Sequence, residues 1–210
     1  MSTVNTDKLT PNTKHAFELL RQRAARDGID LQIASGFRSV ERQVQIWQRK
    51  NSLDYVFNIN GTQKKANELS DQEWLDCVLE WSAIPGLSRH HWGTDIDVFD
   101  AAAVSSNYQL QLTPEEYQVG GPFEKLGEWL ATHIDEDRTD GFFRPYREFH
   151  GGVQPEAWHL SYKADADKAL QRLLSEHPSK LVPLDNIRGG ELIATQLDAL
   201  IHRYVINVDQ

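Results

Sequence analysis

Apolar positions along the chain follow two periods. Between Thr10 and Arg26, Ala16, Phe17, Leu19, Leu20 and Ala24 recur at helical spacing, with Thr10-Pro11-Asn12 as start signal and Gly28 as stop. Leu31 to Ser35 switches to alternation, which predicts a strand ending in a turn at Gly36. Ser39 reads as the N-cap of a second helix, with Glu41 in its first turn and Val44, Ile46 and Trp47 on its apolar side. The pattern fades from Asn51 to Leu69, which predicts an irregular or mobile segment. Ser70-Asp71-Gln72-Glu73 has capping-box spacing ahead of a helix from Trp74 to Trp81. After Ile84-Pro85-Gly86 a polar loop runs to Gly93, and Ile96 to Phe99 is a second strand. Pro114 opens a short helix, and Pro122 sits at the first turn of a longer one carrying Leu126, Trp129, Leu130 and Ile134.

Phe142 to Gly152 reads as loop or hairpin, Trp158 to Tyr162 as a third strand, and Ala164 to Ser175 as a helix. Beyond Pro183 come an amphipathic helix (Leu192, Ile193, Leu197, Leu200, Ile201) and a short strand at Val205 to Val208. No repeat, low-complexity tract or linker divides the 210 residues. The expectation is one α+β domain over 1–210, with a motif-bearing core at about 10–180 and a C-terminal extension at about 183–210.

Charge narrows the partners. A net charge of -9 argues against a nucleic-acid groove, which needs concentrated basic surface. The one dense basic stretch, Arg42 to Lys50, reads as a solvated helix face. Cys77 is the single cysteine, which excludes an intrachain disulfide and a thiolate zinc cluster; its apolar surroundings predict a buried small hydrophobe. Met1 to Asp7 lacks the basic and apolar regions of an export signal, and no apolar run approaches the roughly 20 residues that span a bilayer. A cytoplasmic location is expected, or an exported one if a leader has been removed.

Candidate chemistry lies with the histidines. Ser88-Arg89-His90-His91-Trp92-Gly93-Thr94-Asp95-Ile96-Asp97 and Glu156-Ala157-Trp158-His159 each place histidine near carboxylate beside a strand, whereas His15, His133, His177 and His202 read as surface groups. Hydrolytic zinc takes three nitrogen or oxygen ligands from protein and keeps one position open. Spacing leaves two choices unresolved. Strand parity puts Asp97 with Asp95 and His91, yet Gly93 interrupts the register, and adjacent His90 and His91 point to opposite sides. His91 at a pocket rim and His150 beside Gly151-Gly152 are minor candidates.

Ser88-x-His90-x-x-Gly93-x-x-x-Asp97 followed by Glu156-x-Trp158-His159 resembles the signature of the zinc D-alanyl-D-alanine carboxypeptidases of the vancomycin-resistance type, in the lysostaphin/DD-peptidase/hedgehog group. Ser35-Gly36-Phe37-Arg38-Ser39, with Gln43 one turn later, resembles that family's upstream block. The three blocks stand in the family's order and run from Ser35 to Tyr162. The resemblance implies a small, mostly antiparallel sheet with helices packed around it. It also implies one zinc ion held by His90, Asp97 and His159, Glu156 as general base and Arg38 as a substrate-side cation, with Ser88 and Gln43 hydrogen-bonding the substrate. The implied reaction removes a C-terminal D-alanine from peptidoglycan-derived peptides. LD-carboxypeptidase, L-Ala-D-Glu endopeptidase, non-catalytic zinc binding module and structural zinc domain are the alternatives. Asp95 departs from the family pattern, which has a small residue there: it could orient a histidine, face solvent, or compete with Asp97 as ligand. The motifs carry no information on oligomeric state.

Overall fold

The computed structural model describes residues 8–59, 61–136 and 139–209. The amino-terminal segment expected to lack an export signal lies outside these. Helix α1 (Pro11–Arg26) starts where Thr10 accepts from the Thr13 amide, and its Ala16, Phe17, Leu20 and Ala24 are buried. Strand β1 (Leu31–Ser35) follows, then α2 (Val40–Lys50), capped by Ser39. The stretch from Asn51 to Leu69 is more ordered than its sequence suggests. It contains a hairpin of β2 (Val56–Ile59) and β3 (Thr62–Lys65). Phe57 is its one buried side chain, so no apolar alternation betrays it, and backbone pairing carries the register.

Helix α3 (Asp71–Leu79) has the expected capping box from Ser70 and Glu73, and stops short of Trp81. Strand β4 (Asp95–Asp100), helices α4 (Pro114–Tyr117) and α5 (Glu124–Leu130), and strands β5 (Phe142–Phe143) and β6 (His159–Tyr162) come next. Pro122 precedes α5 rather than sitting in its first turn. Helices α6 (Lys163–Ser175) and α7 (Gly190–Ile201) complete the order. The strand expected at Val205 to Val208 is absent: α7 runs into a π-type turn at His202–Ile206, with Tyr204 and Val205 buried.

The architecture is α+β. The main sheet is antiparallel in the order β1-β4-β6-β5, so the strand at Phe142 pairs with β6 instead of forming a local hairpin. One apolar cluster packs Leu20, Leu31, Ile96, Val98, Leu126 and Leu160 between the sheet and α1 and α5. A second joins Trp47 of α2, Trp74 and Val78 of α3, and Ile193 and Leu200 of α7. Cys77 is half-buried against this second cluster, and burial, with Glu80 and Asp76 nearby, pushes its thiol up, away from nucleophile behaviour. No helix among the described residues is long and apolar enough to cross a membrane.

Candidate metal centre and substrate cleft

Strand β4 separates two environments by alternation. Ile96 and Val98 enter the first apolar cluster, while Asp95 and Asp97 point to the other face. Strand β6 repeats the pattern: Leu160 is in the core, and His159 and Ser161 stand opposite Asp97 and Asp95 in register. Three groups of the sequence motifs then meet, since His90, Asp97 and His159 offer ligand atoms within 4.8 Å of one another, all buried.

The loop carrying His90 is fixed by backbone chemistry. Gly93 has φ +70°, and a Cβ there would lie 2.6 Å from the Lys8 carbonyl oxygen, so only glycine turns the short helix Arg89–Trp92 into β4. This turn breaks the parity that would have grouped Asp97 with His91. The Ser35–Ser39 block is clasped to the same loop, because the Arg38 amide donates to the His90 carbonyl (3.1 Å). His91 turns away from the cleft: its Nδ1 meets the Arg38 carbonyl at 2.5 Å and its Nε2 accepts from the Gly86 amide at 3.1 Å. It is a loop pin, and burial lowers its pKa. His150 is equally remote, paired with Asp209 at 3.1 Å.

Both candidate histidine ligands have their tautomers set from behind. His90 Nδ1 lies 2.9 Å from the Gly36 carbonyl oxygen, which can only accept, so Nδ1 carries the proton and Nε2 presents a lone pair. His159 Nε2 lies 2.9 Å from Asp95 Oδ1, which leaves Nδ1 facing Asp97 Oδ1 (3.1 Å) and Glu156 Oε2 (3.3 Å). His90 Nε2 is 3.3 Å from Asp97 Oδ2. Asp97 Oδ1 is nevertheless buried without a hydrogen bond, despite its short distance to His159, because the alignment is poor. Two ring nitrogens and an orphaned carboxylate oxygen converging on one point fit a cation. Burial alone would raise the Asp97 pKa, but His90 and His159 hold it well below the usual carboxylate range. For His159, burial opposes the charged form, and the hydrogen bond to Asp95 with the neighbouring Asp97 and Glu156 carboxylates outweighs it and raises the pKa.

Asp95 orients a histidine rather than competing for the centre. It is fully buried, with Oδ1 also accepting from Arg89 Nε (2.8 Å) and Oδ2 from Thr94 and Ser161 hydroxyls. Arg89 in turn stacks on Trp92.

Glu156 and His159 come together through a turn, with the His159 amide donating to the Glu156 carbonyl at 3.4 Å, while Trp158 between them packs on Tyr117 in the core. A cleft of about 550 Å³ opens beside the three ligand candidates and is lined also by Arg38, Ser88 and Glu156. Arg38 is held by Gln43 Oε1 (2.9 Å) and Ser35 Oγ (3.1 Å), 3.9 Å from Asp97 Oδ2. Gln43, expected to bind substrate, is fully buried; its amide nitrogen donates to the Ala83 carbonyl, so its contact is with Arg38. Ser88 is buried at the cleft, with its hydroxyl outside any hydrogen bond among the described residues.

Two cleft residues were not found from the sequence. Tyr146, whose ring packs 4.9 Å from that of His159, has its phenol pushed up to about 12 by burial; nothing in its aromatic-rich loop marked it. Lys50, expected on a solvated face, is buried against the cleft while Arg42 and Arg49 stay exposed. Its place at the last turn of α2 and beside Arg49 hid that turn of the helix.

The D-alanyl-D-alanine carboxypeptidase (VanY) family model matches residues 6–165 of the chain. An uncharacterized protein of Haemophilus influenzae is 33% identical over 125 residues, which cover 59% of this chain and 93% of the relative. Among solved structures, VanYB in complex with D-alanine-D-alanine aligns with a TM-score of 0.51 at 22% identity, over 80% of this chain and 83% of that one. A vancomycin-resistance D,D-pentapeptidase VanY variant in complex with Zn(II) gives the same TM-score of 0.51 and 22% identity, over 80% and 79% of the two chains. At that identity the two structures speak for the fold.

Proposed function

This chain belongs to the D-alanyl-D-alanine carboxypeptidase family, and from that footing we propose that it is a zinc-dependent carboxypeptidase releasing a C-terminal D-alanine from peptidoglycan-type peptides. The observation that carries the reading is the buried Asp97 Oδ1, without a hydrogen bond among the described residues, with His159 Nδ1 3.1 Å away and His90 Nε2 turned to the other oxygen of the same carboxylate. A cation held between these groups would satisfy that oxygen and both ring nitrogens at once.

His90, Asp97 and His159 would hold the zinc. Bound there, it supplies a Lewis acid for the scissile carbonyl and brings the pKa of water towards about 7. Glu156, at the cleft and 3.3 Å from His159, takes the proton of the attacking water and returns it to the leaving amine. Arg38 is braced by two hydrogen bonds and offers its fork to the carbonyl oxygen or the terminal carboxylate. Ser88 contributes a hydroxyl at the same wall.

Metal analysis should return about one zinc per chain, and His159→Ala should abolish it; zinc retained by that variant sinks the ligand set. Glu156→Gln should keep zinc and lose hydrolysis by about 10²–10⁴-fold, and undiminished turnover rejects the base. Incubation with muropeptides ending in D-Ala-D-Ala, followed by mass spectrometry, should show loss of one alanine. Loss only from tetrapeptides would assign LD-cleavage, internal scission an endopeptidase, and binding without cleavage a recognition module.

A further inference from the structure

The cleft carries a cation, Lys50, that no carboxylate among the described residues approaches to ion-pair distance. Lys50 ends α2 and is only 8% exposed, and its ammonium has neither a hydrogen bond nor a carboxylate at ion-pair distance among the described residues. Holding an ammonium at a mostly desolvated position without a partner is costly. Lys50 sits in the last turn of α2, whose negative end favours its charge, but its Nζ donates to no α2 carbonyl. Lys125 shows the relieved case, since its Nζ donates to the Asp27 and Gly28 carbonyls (2.6 and 3.3 Å) at the end of α1. The position is rigid as well as buried. Trp74 Nε1 holds the Lys50 carbonyl at 3.1 Å, and Trp74 packs edge-on to Trp47 in the second apolar cluster.

Around Lys50 the cleft wall is Ile46, Arg49, Tyr55 and Trp81, a partly apolar surface with two positive charges. Arg38, by contrast, lies 3.9 Å from Asp97 Oδ2 and stands next to the candidate metal ligands, where the reacting carbonyl and the chain terminus would lie. Burial pushes the Lys50 amine down to about 8, with Arg49 and Arg38 acting in the same sense and Glu156 against them, so it remains largely charged at neutral pH.

Given the carboxypeptidase reading above, we propose that Lys50, assisted by Arg49, forms a second anion subsite that binds a side-chain carboxylate on the substrate residue preceding the two D-alanines, which makes an acidic peptide the preferred substrate class. A charge-assisted hydrogen bond in such a site corresponds to about tenfold or more in affinity.

Binding is measured by calorimetry on the Glu156→Gln protein loaded with zinc, so that turnover does not enter. The probes are acetyl-Glu-D-Ala-D-Ala, acetyl-Gln-D-Ala-D-Ala and the C-terminal amides of both. The Glu peptide should bind about tenfold tighter than the Gln peptide, Lys50→Met should erase that ratio, and Lys50→Arg should restore most of it. Methionine keeps the buried aliphatic stem, and a melting curve checks that the variant is folded. Equal affinities for Glu and Gln peptides, or a ratio that survives Lys50→Met, overturn the subsite. A Lys50-dependent loss seen only between free and amidated termini also overturns it, by giving Lys50 the terminal carboxylate. Hydrolysis of the same peptides by the unmodified protein is scored separately: its absence counts against the peptidase reading alone.

Discussion

Arg89, Thr94, His159 and Ser161 all direct a donor at Asp95, so a carboxylate that breaks the family pattern is the most heavily bonded side chain near the site. Burial pushes its pKa up, and the Arg89 guanidinium and the His159 hydrogen bond more than reverse that, so it stays ionised. A carboxylate behind a metal-ligating imidazole fixes the ring and strengthens its basicity. Asp95→Ala should therefore lower zinc affinity by about 10–100-fold in a chelator competition. It should also cost about 3–5 kcal/mol in urea unfolding, because Arg89 is left buried and unpaired. Zinc affinity unchanged in a folded variant would deny Asp95 its orienting part. At this scale the sequence was half legible. Alternation correctly put Asp95 and Asp97 on one face, but which of them joins the candidate ligand cluster depends on His159 lying opposite Asp97, a pairing across 62 residues of chain that no local pattern records. The resemblance favoured His90 over His91, where spacing could not choose, and it is His90 that the fold brings beside Asp97 and His159.

The elements most readable from sequence are those whose ends carry their own chemistry. Ser39 caps α2 as expected, α1 begins at its start signal, and the expected capping box of Ser70 stands ahead of α3, which starts at Asp71, three residues before the expected Trp74. The β2–β3 hairpin and the turn at His202–Ile206 were not readable, for opposite reasons. One has almost no buried side chain to set a period, and the other is β-branched and apolar yet packs helically on α3 and α7. Caps also join elements. Thr10 Oγ1, which caps α1, donates to Asp165 in the first turn of α6 at 2.6 Å, and Asn12 adds a bond at 3.1 Å. Burial raises the Asp165 pKa, and these donors with Lys168 lower it further than that, so the net shift is downward. A carboxylate with a depressed native pKa stabilises the fold fully above the unfolded value near 3.9, and that contribution is lost as pH falls through the native value. Asp165→Asn should thus cost about 1 kcal/mol at pH 7, with the gap from the parent closing in acid below pH 4. Urea titrations at several pH values check it; a gap independent of pH would mean the charge plays no part.

Across the whole molecule, the cleft is a seam between two cores. The candidate metal ligands Asp97 and His159 stand on the sheet that bounds the first apolar cluster, while Ile46 and Lys50 stand on α2, whose Trp47 belongs to the second. The segment from about Pro183, read from sequence as an extension, supplies Ile193, Leu200, Ile201, Tyr204 and Val205 to that second cluster. Its Asp209 also holds the amides of Arg147 and Glu148, beside Tyr146 of the cleft. Each such apolar side chain contributes about 1.5–3 kcal/mol, so their sum rivals the 5–15 kcal/mol of a whole domain. Deleting residues 187–210 should abolish the cooperative melting transition in circular dichroism; a melt like that of the full chain would make α7 dispensable. A seam of this kind also partitions mutational risk. Apart from Gln43, which holds Arg38, substitutions on the α2 wall such as those at Ile46 and Arg49 should therefore add independently of changes around the candidate ligands. Selection can then retune which peptide is accepted on one side while leaving the proposed hydrolytic apparatus on the other intact, which is a structural basis for evolvability.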